Sequence, residues 1–221
     1  MDFFHDADGT LCIQPKKYIE RMMVSYLQMF GEQPKNNVSS PLKHGDHHEL
    51  DTSNILDVEH TQKYHSFVGA MQWAVSIRYI DITTAVMTLS SFHSAPHQGH
   101  LDHVKWFYSY LSKFKDAVIR IRVDEPDYSS LLEPDYDWKY SVYGEGSELI
   151  PYDAPVPLGN IVTLMHYMDA NLYHDMLNGR SVTGILHFLN KTPIDWYSKK
   201  QSTVETATYG SEYVAACVYT D

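Results

Sequence analysis

Two acids near the C-terminus, Asp169 and Glu212, are the residues whose types and settings best suit metal-assisted chemistry. Asp169 closes a short run of mostly apolar and aromatic residues, Thr163 to Asp169, that reads as a strand. Glu212 falls in a stretch from Val204 onward where small residues and Glu take over and Tyr209, Tyr213, Ala216 and Cys217 recur at helical spacing. An acid on a strand and an acid on the following helix are what a two-metal phosphodiester hydrolase needs, because hard divalent cations take oxygen ligands from several elements. On spacing alone, two solvated surface acids is the better reading, since acids are mostly exposed.

Three further groups invite a chemical reading. His44, His47 and His48 crowd one polar stretch. Without a second cluster at fixed spacing they read as solvated loop histidines. His93, His97, His100 and His103 fall at near-helical intervals, as in a zinc site, but Pro96 and Gly99 interrupt any continuous helix through them. An ordinary interhelical turn is the simpler reading. Asp6-Ala7-Asp8-Gly9-Thr10-Leu11 looks like the nucleophile motif of haloacid-dehalogenase-type phosphatases, in which one Asp attacks phosphorus and the next acts as acid. That chemistry needs a buried strand ahead and a downstream Lys and acid pair. Only Met1 to Phe4 offers a strand ahead of it and no Asp-Asp pair occurs, so the motif stands without context.

The elements that must position these residues follow from pattern. Asp8-Gly9 is a tight-turn dipeptide before a short strand, Thr10 to Ile13. Gln14-Pro15 starts a helix with Tyr18, Met22, Met23, Tyr26, Met29 and Phe30 on its apolar side, and Gly31 ends it. Asn36 to Asp57 is polar and reads as a linker or exposed loop. Tyr64 to Lys115 carries three helical stripes: Phe67, Met71, Ala74 and Val75; then Ile82, Ala85, Val86, Leu89 and Phe92, with Asp81 as N-cap; then Leu101, Val104, Phe107, Tyr108, Leu111 and Phe114. Three helices burying these stripes against each other account for them. Ala117 to Val123 reads as a weak strand, and Asp124 to Pro157, acidic and rich in Tyr and Pro, as an extended tether. After Asp169, Asn178-Gly179 signals a turn, Val182 to Leu189 a second strand, Asn190 to Pro193 another turn, and Ile194 to Ser198 a third strand.

The C-terminal quarter resembles the front half of the ribonuclease H domain of copia-type LTR retrotransposons. Asp169-Ala170-Asn171 matches that family's Asp-Ala-(Asp/Asn) on the first strand. Arg180-Ser181-Val182-Thr183-Gly184 matches its Arg-Ser-x-(Thr/Ser)-Gly, Trp196-Tyr197-Ser198-Lys199-Lys200-Gln201 its Trp-x-Ser-Lys-Lys-Gln, and Ser211-Glu212-Tyr213-Val214-Ala215 its (Ala/Ser)-Glu-Tyr-x-Ala. Upstream, Gly9-Thr10-Leu11 through Tyr18-Ile19 is similar to the strand and helix leading from the palm of reverse transcriptase into its thumb. Tyr64-x-Ser66-x-Val68-Gly69, Asp81-Ile82 with Ala85-Val86, and Ser90-x-Phe92 are similar to the thumb and connection; Tyr79-Ile80 stands where the family often has Arg-Pro.

The resemblance implies an α+β chain: a helical thumb/connection segment followed by a truncated ribonuclease H-like α/β domain of three strands and a helix. The implied divisions are 1–35, palm hairpin and first thumb helix; 36–60, linker; 61–123, thumb and connection; 124–157, tether; and 158–221, partial nuclease domain. It makes Asp169 and Glu212 the first two of four carboxylates that hold magnesium in the complete parent domain. The last two would lie beyond Asp221, and the Tyr-x-Asp-Asp turn of the polymerase centre is absent. It offers Lys105, Lys113, Lys115, Arg180, Lys199 and Lys200 as contacts to an RNA/DNA hybrid, with the rest of the Pol polyprotein as the other partner. Two of four ligands cannot space a metal pair, so the chain alone is expected to be inactive.

Composition fits this outline. A net charge of −11 over 221 residues argues against a nucleic-acid grip by the whole surface, although the acids concentrate between Asp124 and Asp153. No apolar run approaches the ~20 residues of a membrane span, and the start of the chain has no secretory pattern. Cys12 and Cys217 give neither a metal spacing nor a disulfide framework, so an intracellular setting is expected. The non-catalytic alternative is a helical interaction module with an acidic tether.

Overall fold

The computed structural model describes residues 1–35, 37–127, 129, 151–156, 159 and 162–220. Most of the expected tether, 124–157, lies outside these residues.

The chain opens with a hairpin, β1 (Asp2–His5) and β2 (Leu11–Gln14), closed by a turn at Gly9, whose φ of +83° suits a residue without Cβ. The two-residue strand β3 (Ile119–Arg120) adds to β2, giving an antiparallel sheet in the order β1-β2-β3. Asp6 and Asp8 serve this turn. The Asp6 Oδ1 accepts the Thr10 amide at 3.1 Å, the Asp8 Oδ1 accepts the same amide at 2.9 Å, and both carboxylates pair with Arg120.

Helix α1 (Lys16–Phe30) ends on Gly31 at φ +71°, the left-handed cap that glycine favours. Helices α2 (Val58–Ser76), α3 (Thr83–Ser90) and α4 (Gln98–Lys113) complete a four-helix core. Phe67, Met71 and Ala74 of α2, Ala85, Val86 and Leu89 of α3, and Leu101, Val104, Phe107, Tyr108 and Leu111 of α4 are buried in it with Ile19, Met22 and Tyr26 of α1. Met29 is exposed, so the α1 stripe turns through Ile19 rather than Met29. Two of the buried tyrosines satisfy their hydroxyls on backbone: Tyr64 donates to the Leu89 carbonyl and Tyr79 to the Phe114 carbonyl. The N-cap aspartate belongs to α2, where Asp57 accepts the His60 amide at 2.8 Å. Asp81 instead sits in a short 3₁₀ turn, Ile80–Ile82, ahead of α3.

The stretch before α2 is not a free linker. Val38 and His48 are buried, and the chain runs back along α4. Trp106 donates to the Ser40 carbonyl at 3.0 Å, Gln98 N to the Asn54 carbonyl at 2.9 Å, and Gly99 N to Ser53 Oγ at 2.9 Å. The approach is close enough that a Cβ at Gly99 would lie 2.2 Å from Asp51 Oδ2.

The C-terminal unit is a second antiparallel sheet, β4 (Leu164–Asp175), β5 (Arg180–Leu189) and β6 (Thr192–Lys200), followed by α5 (Thr208–Thr220). Strand β4 continues through a bulge to Asp175, so Asp169 lies inside the strand rather than at its end, and α5 begins four residues later than Val204. Asp175 explains the longer strand: its Oδ1 accepts the Leu177 and Asn178 amides, which ties the turn around Asn178-Gly179 to the strand end. The sheet meets the helical core where Arg78 lies 5.1 Å over the Trp196 ring and Thr84 donates to Ser198 at 3.2 Å. Among the described residues no helix is long and apolar enough to cross a membrane.

Candidate functional site

In a strand successive side chains leave opposite faces, so register assigns each residue of the second sheet to a side. Asp169 pairs with Gly184, and Gly184 with Ser198. That row faces the helical core, because Ser198 accepts from Thr84 of α3. A cleft of about 640 Å³ runs along this face, lined by Asp169, Tyr167 and Trp196 of the sheet and by Ile80, Thr83 and Thr84. Asp169 itself is exposed.

The neighbouring row, Ala170 opposite Thr183, faces the other way and is buried. Helix α5 covers it. Gln201, 5% exposed, donates from Nε2 to Thr183 Oγ1 at 3.0 Å and to the Ser211 carbonyl at 2.8 Å, clamping α5 against β5. Ser211 and Ala215 form the inward side of the helix, and Glu212 is half-buried beside them. Asp169 and α5 therefore lie on opposite sides of the sheet. Gln201→Ala should lower unfolding stability by about 1–3 kcal/mol, since two buried acceptors lose their donor; a urea titration followed by circular dichroism would measure it.

The six candidate nucleic-acid cations do not converge. Lys105 pairs with Glu32 at 3.6 Å and lies 4.7 Å over the Phe30 ring. Lys113 lies 5.2 Å over Phe114 at the end of α4, and Lys115 follows, half-buried. Arg180 and Lys199 are exposed on the second sheet. Lys200 is engaged internally by the buried carboxylate of Asp175.

Against these dispersed residues, 26% of positions are identical to the retrovirus-related Pol polyprotein from transposon TNT 1-94 of Nicotiana tabacum, over a 216-residue alignment covering 93% of this chain. The chain is similar to plant transposon Pol polyproteins. The corresponding protein from transposon RE1 of Arabidopsis thaliana is 26% identical over 151 residues, 68% of the chain. The chain spans only 13% and 8% of the lengths of these two relatives. Secreted RxLR effector protein 161 of Plasmopara viticola is also 26% identical, over 152 residues that cover 69% of this chain and 82% of that protein. No protein-family profile matches the chain. No solved structure matches it.

The four histidine and acid groups singled out in the sequence sort differently in space. Among the described residues, the metal-ligating side chains that gather in threes are Asp46, His48 and His103, and neither Asp169 nor Glu212 is in such a group. The reading of His48 as a solvated loop histidine is corrected by its burial at 3% exposure. Burial pushes its pKa down to about 4, and the neighbouring His103 adds to the effect. The sequence shows two separate histidine runs, and only the return of the loop along α4 joins them. No local spacing signals that return.

Proposed function

We propose that these residues are a piece of a retrotransposon Pol polyprotein running from the end of the reverse transcriptase palm, through thumb and connection, into a ribonuclease H-like domain. The observation that carries the reading is the similarity to Pol polyproteins along nearly the whole chain. The order of elements supports it: a hairpin entering a helix, a helical core, then three antiparallel strands and a helix bearing the four quoted motifs in sequence order. In this reading Asp169 and Glu212 are the counterparts of the first two nuclease acids, magnesium belongs to the complete parent domain, and the parent's template is an RNA/DNA hybrid. The parent would copy RNA into DNA and hydrolyse the RNA strand.

The residues present support no such turnover by this piece alone. Among the described residues neither Asp169 nor Glu212 belongs to a group of three ligating side chains, and two acids alone do not space a metal pair. The 221-residue chain should release no product from an RNA/DNA hybrid in a magnesium-dependent hydrolysis assay. Turnover that disappears in both Asp169→Asn and Glu212→Gln would overturn this.

A second reading has its own observation. The similar stretch makes up 82% of a secreted effector protein, so a segment of this kind also occurs as most of a separate protein. That favours a non-catalytic interaction module. The two readings part on hybrid binding. The thumb reading expects salt-sensitive binding with Kd on the order of 10⁻⁴–10⁻⁶ M, weakened when Lys105, Lys113 and Lys115 are changed to Ala; the module reading expects none.

A further inference from the structure

The histidines of the loop and of α4 meet at one point. Asp46, His48 and His103 each offer a ligand atom, and the three atoms lie within 4.8 Å of one another. They come from two elements 55 or more positions apart, a loop and a helix, which is how a bound ion ties distant segments together. The imidazole rings of His48 and His103 are 4.0 Å apart between centroids, tilted at 53°.

Two features of this cluster bear on what it can bind. His48 is 3% exposed, and its Nε2 is buried without a hydrogen-bond partner. A buried ring nitrogen left in that state is costly. The second feature is tautomeric. The Nδ1 of His103 lies 2.7 Å from the Gly99 carbonyl oxygen, which can only accept, so Nδ1 carries the proton. In a neutral ring Nε2 then presents its lone pair, and it faces the Asp46 carboxylate at 2.5 Å. Two acceptors facing each other share a proton in this geometry, and a metal ion can take the proton's place once they separate. A backbone carbonyl holding the far nitrogen is the usual support of a metal-bound histidine.

The surroundings are built to hold this arrangement. The Nε2 of His100 donates to the His48 carbonyl at 2.9 Å, its Nδ1 accepts the His97 amide at 2.9 Å, and Phe92 stacks on its ring at 4.0 Å. His100 is thereby fully occupied and acts as a positioning residue. The Asp46 side chain is about one-third exposed, which leaves water access on that side.

We propose that Asp46, His48 and His103 form a binding site for a first-row divalent ion, zinc by preference, with water as the fourth ligand. Two imidazoles and a carboxylate are a nitrogen and oxygen set that suits zinc. Zinc bonds of about 2.0–2.1 Å at tetrahedral angles separate ligand atoms by roughly 3.3 Å. Asp46, on the exposed loop, opens by under about 1 Å to admit the ion. The ion clips the loop around His48 to α4, independently of any descent from a polymerase.

The test uses the full chain, stripped with a chelator and dialysed against zinc, with metal content measured by mass spectrometry and affinity by competition with a chromogenic chelator. One zinc per chain is expected, together with a rise in Tm on adding zinc. A cobalt-loaded sample should show the intense visible absorption of a tetrahedral site. Asp46→Asn and His103→Gln, both partly exposed and therefore tolerated by the fold, should each weaken binding by at least about tenfold. His44→Gln, on an exposed residue outside the group, should leave it unchanged. No stoichiometric zinc at micromolar concentration, or equal binding by wild type and both ligand variants while circular dichroism shows all three folded, would overturn the site.

Discussion

Replacing Phe67 by alanine should cost about 3–5 kcal/mol of unfolding free energy, the range for truncating a buried aromatic ring. Phe67 is 2% exposed on α2 and touches three aromatic rings on two other helices. Its ring stacks on Phe30 at 5.0 Å and 11°, lies 6.1 Å from Tyr26, and meets Tyr108 of α4 edge-on at 5.0 Å and 77°. Truncation removes the apolar surface of the ring from the core, leaves a cavity where α1, α2 and α4 converge, and forfeits offset and edge contacts worth roughly 0.5–1.5 kcal/mol each beyond area. A loss of this size consumes much of the stability of a chain this long. Tyr108→Phe makes the contrasting case. The Tyr108 hydroxyl is buried without a partner, so removing it should leave stability unchanged or raise it by about 1 kcal/mol. Denaturant titrations of the two variants, followed by tryptophan fluorescence, would check both signs. A cost for Phe67→Ala below about 1 kcal/mol would mean that the three helices do not share this core.

The contrast between these helices and the rest of the chain shows what a sequence can disclose. Phe67 and Met71, or Leu101, Val104, Tyr108 and Leu111, recur at helical spacing, and burial of one face is the main force holding a helix in a protein. The stripes are therefore written locally. Strand pairing is different. Asp169 could be assigned to a strand from its neighbours, but the side of the sheet it leaves depends on which residue it faces across the ladder, and a shift of one residue reverses it. The extension of β4 to Asp175 was also hidden, because it rests on a side chain that caps a turn three residues further on. Least visible was the burial of His48. The polar run from Asn36 to Asp57 carries the composition of an exposed loop, and what buries it are hydrogen bonds to Gln98, Gly99 and Trp106, some fifty residues away. The same holds for the candidate acids: their residue types are legible, and their relation in space is a property of the packed sheet.

Asp175 is where that packed sheet should respond most to pH. Its carboxylate is 3% exposed. Burial alone would raise its pKa, but the Lys200 ammonium, the Asn178 side chain and the Asn178 amide outweigh it and hold the value near 2, below the ordinary 3.8. A carboxyl whose pKa is depressed on folding binds protons more readily when unfolded. Its contribution is therefore fully present above pH ~4 and is lost as pH falls from about 4 toward 2. A shift of nearly two units corresponds to about 2 kcal/mol. Asp175→Asn keeps the shape but removes the charge that Lys200 answers, and should cost about 2–3 kcal/mol at neutral pH, more than the wild type loses near pH 3. Asp175→Ala should cost more, since the turn amides of Leu177 and Asn178 also lose their acceptor. The decisive measurement is the pH dependence of unfolding free energy for wild type and Asp175→Asn between pH 7 and pH 3. Their difference should shrink as pH falls, because acid neutralises in the wild type the charge that the variant already lacks. A difference constant across that range would show that the Asp175 carboxylate does not hold the turn and Lys200 through its charge.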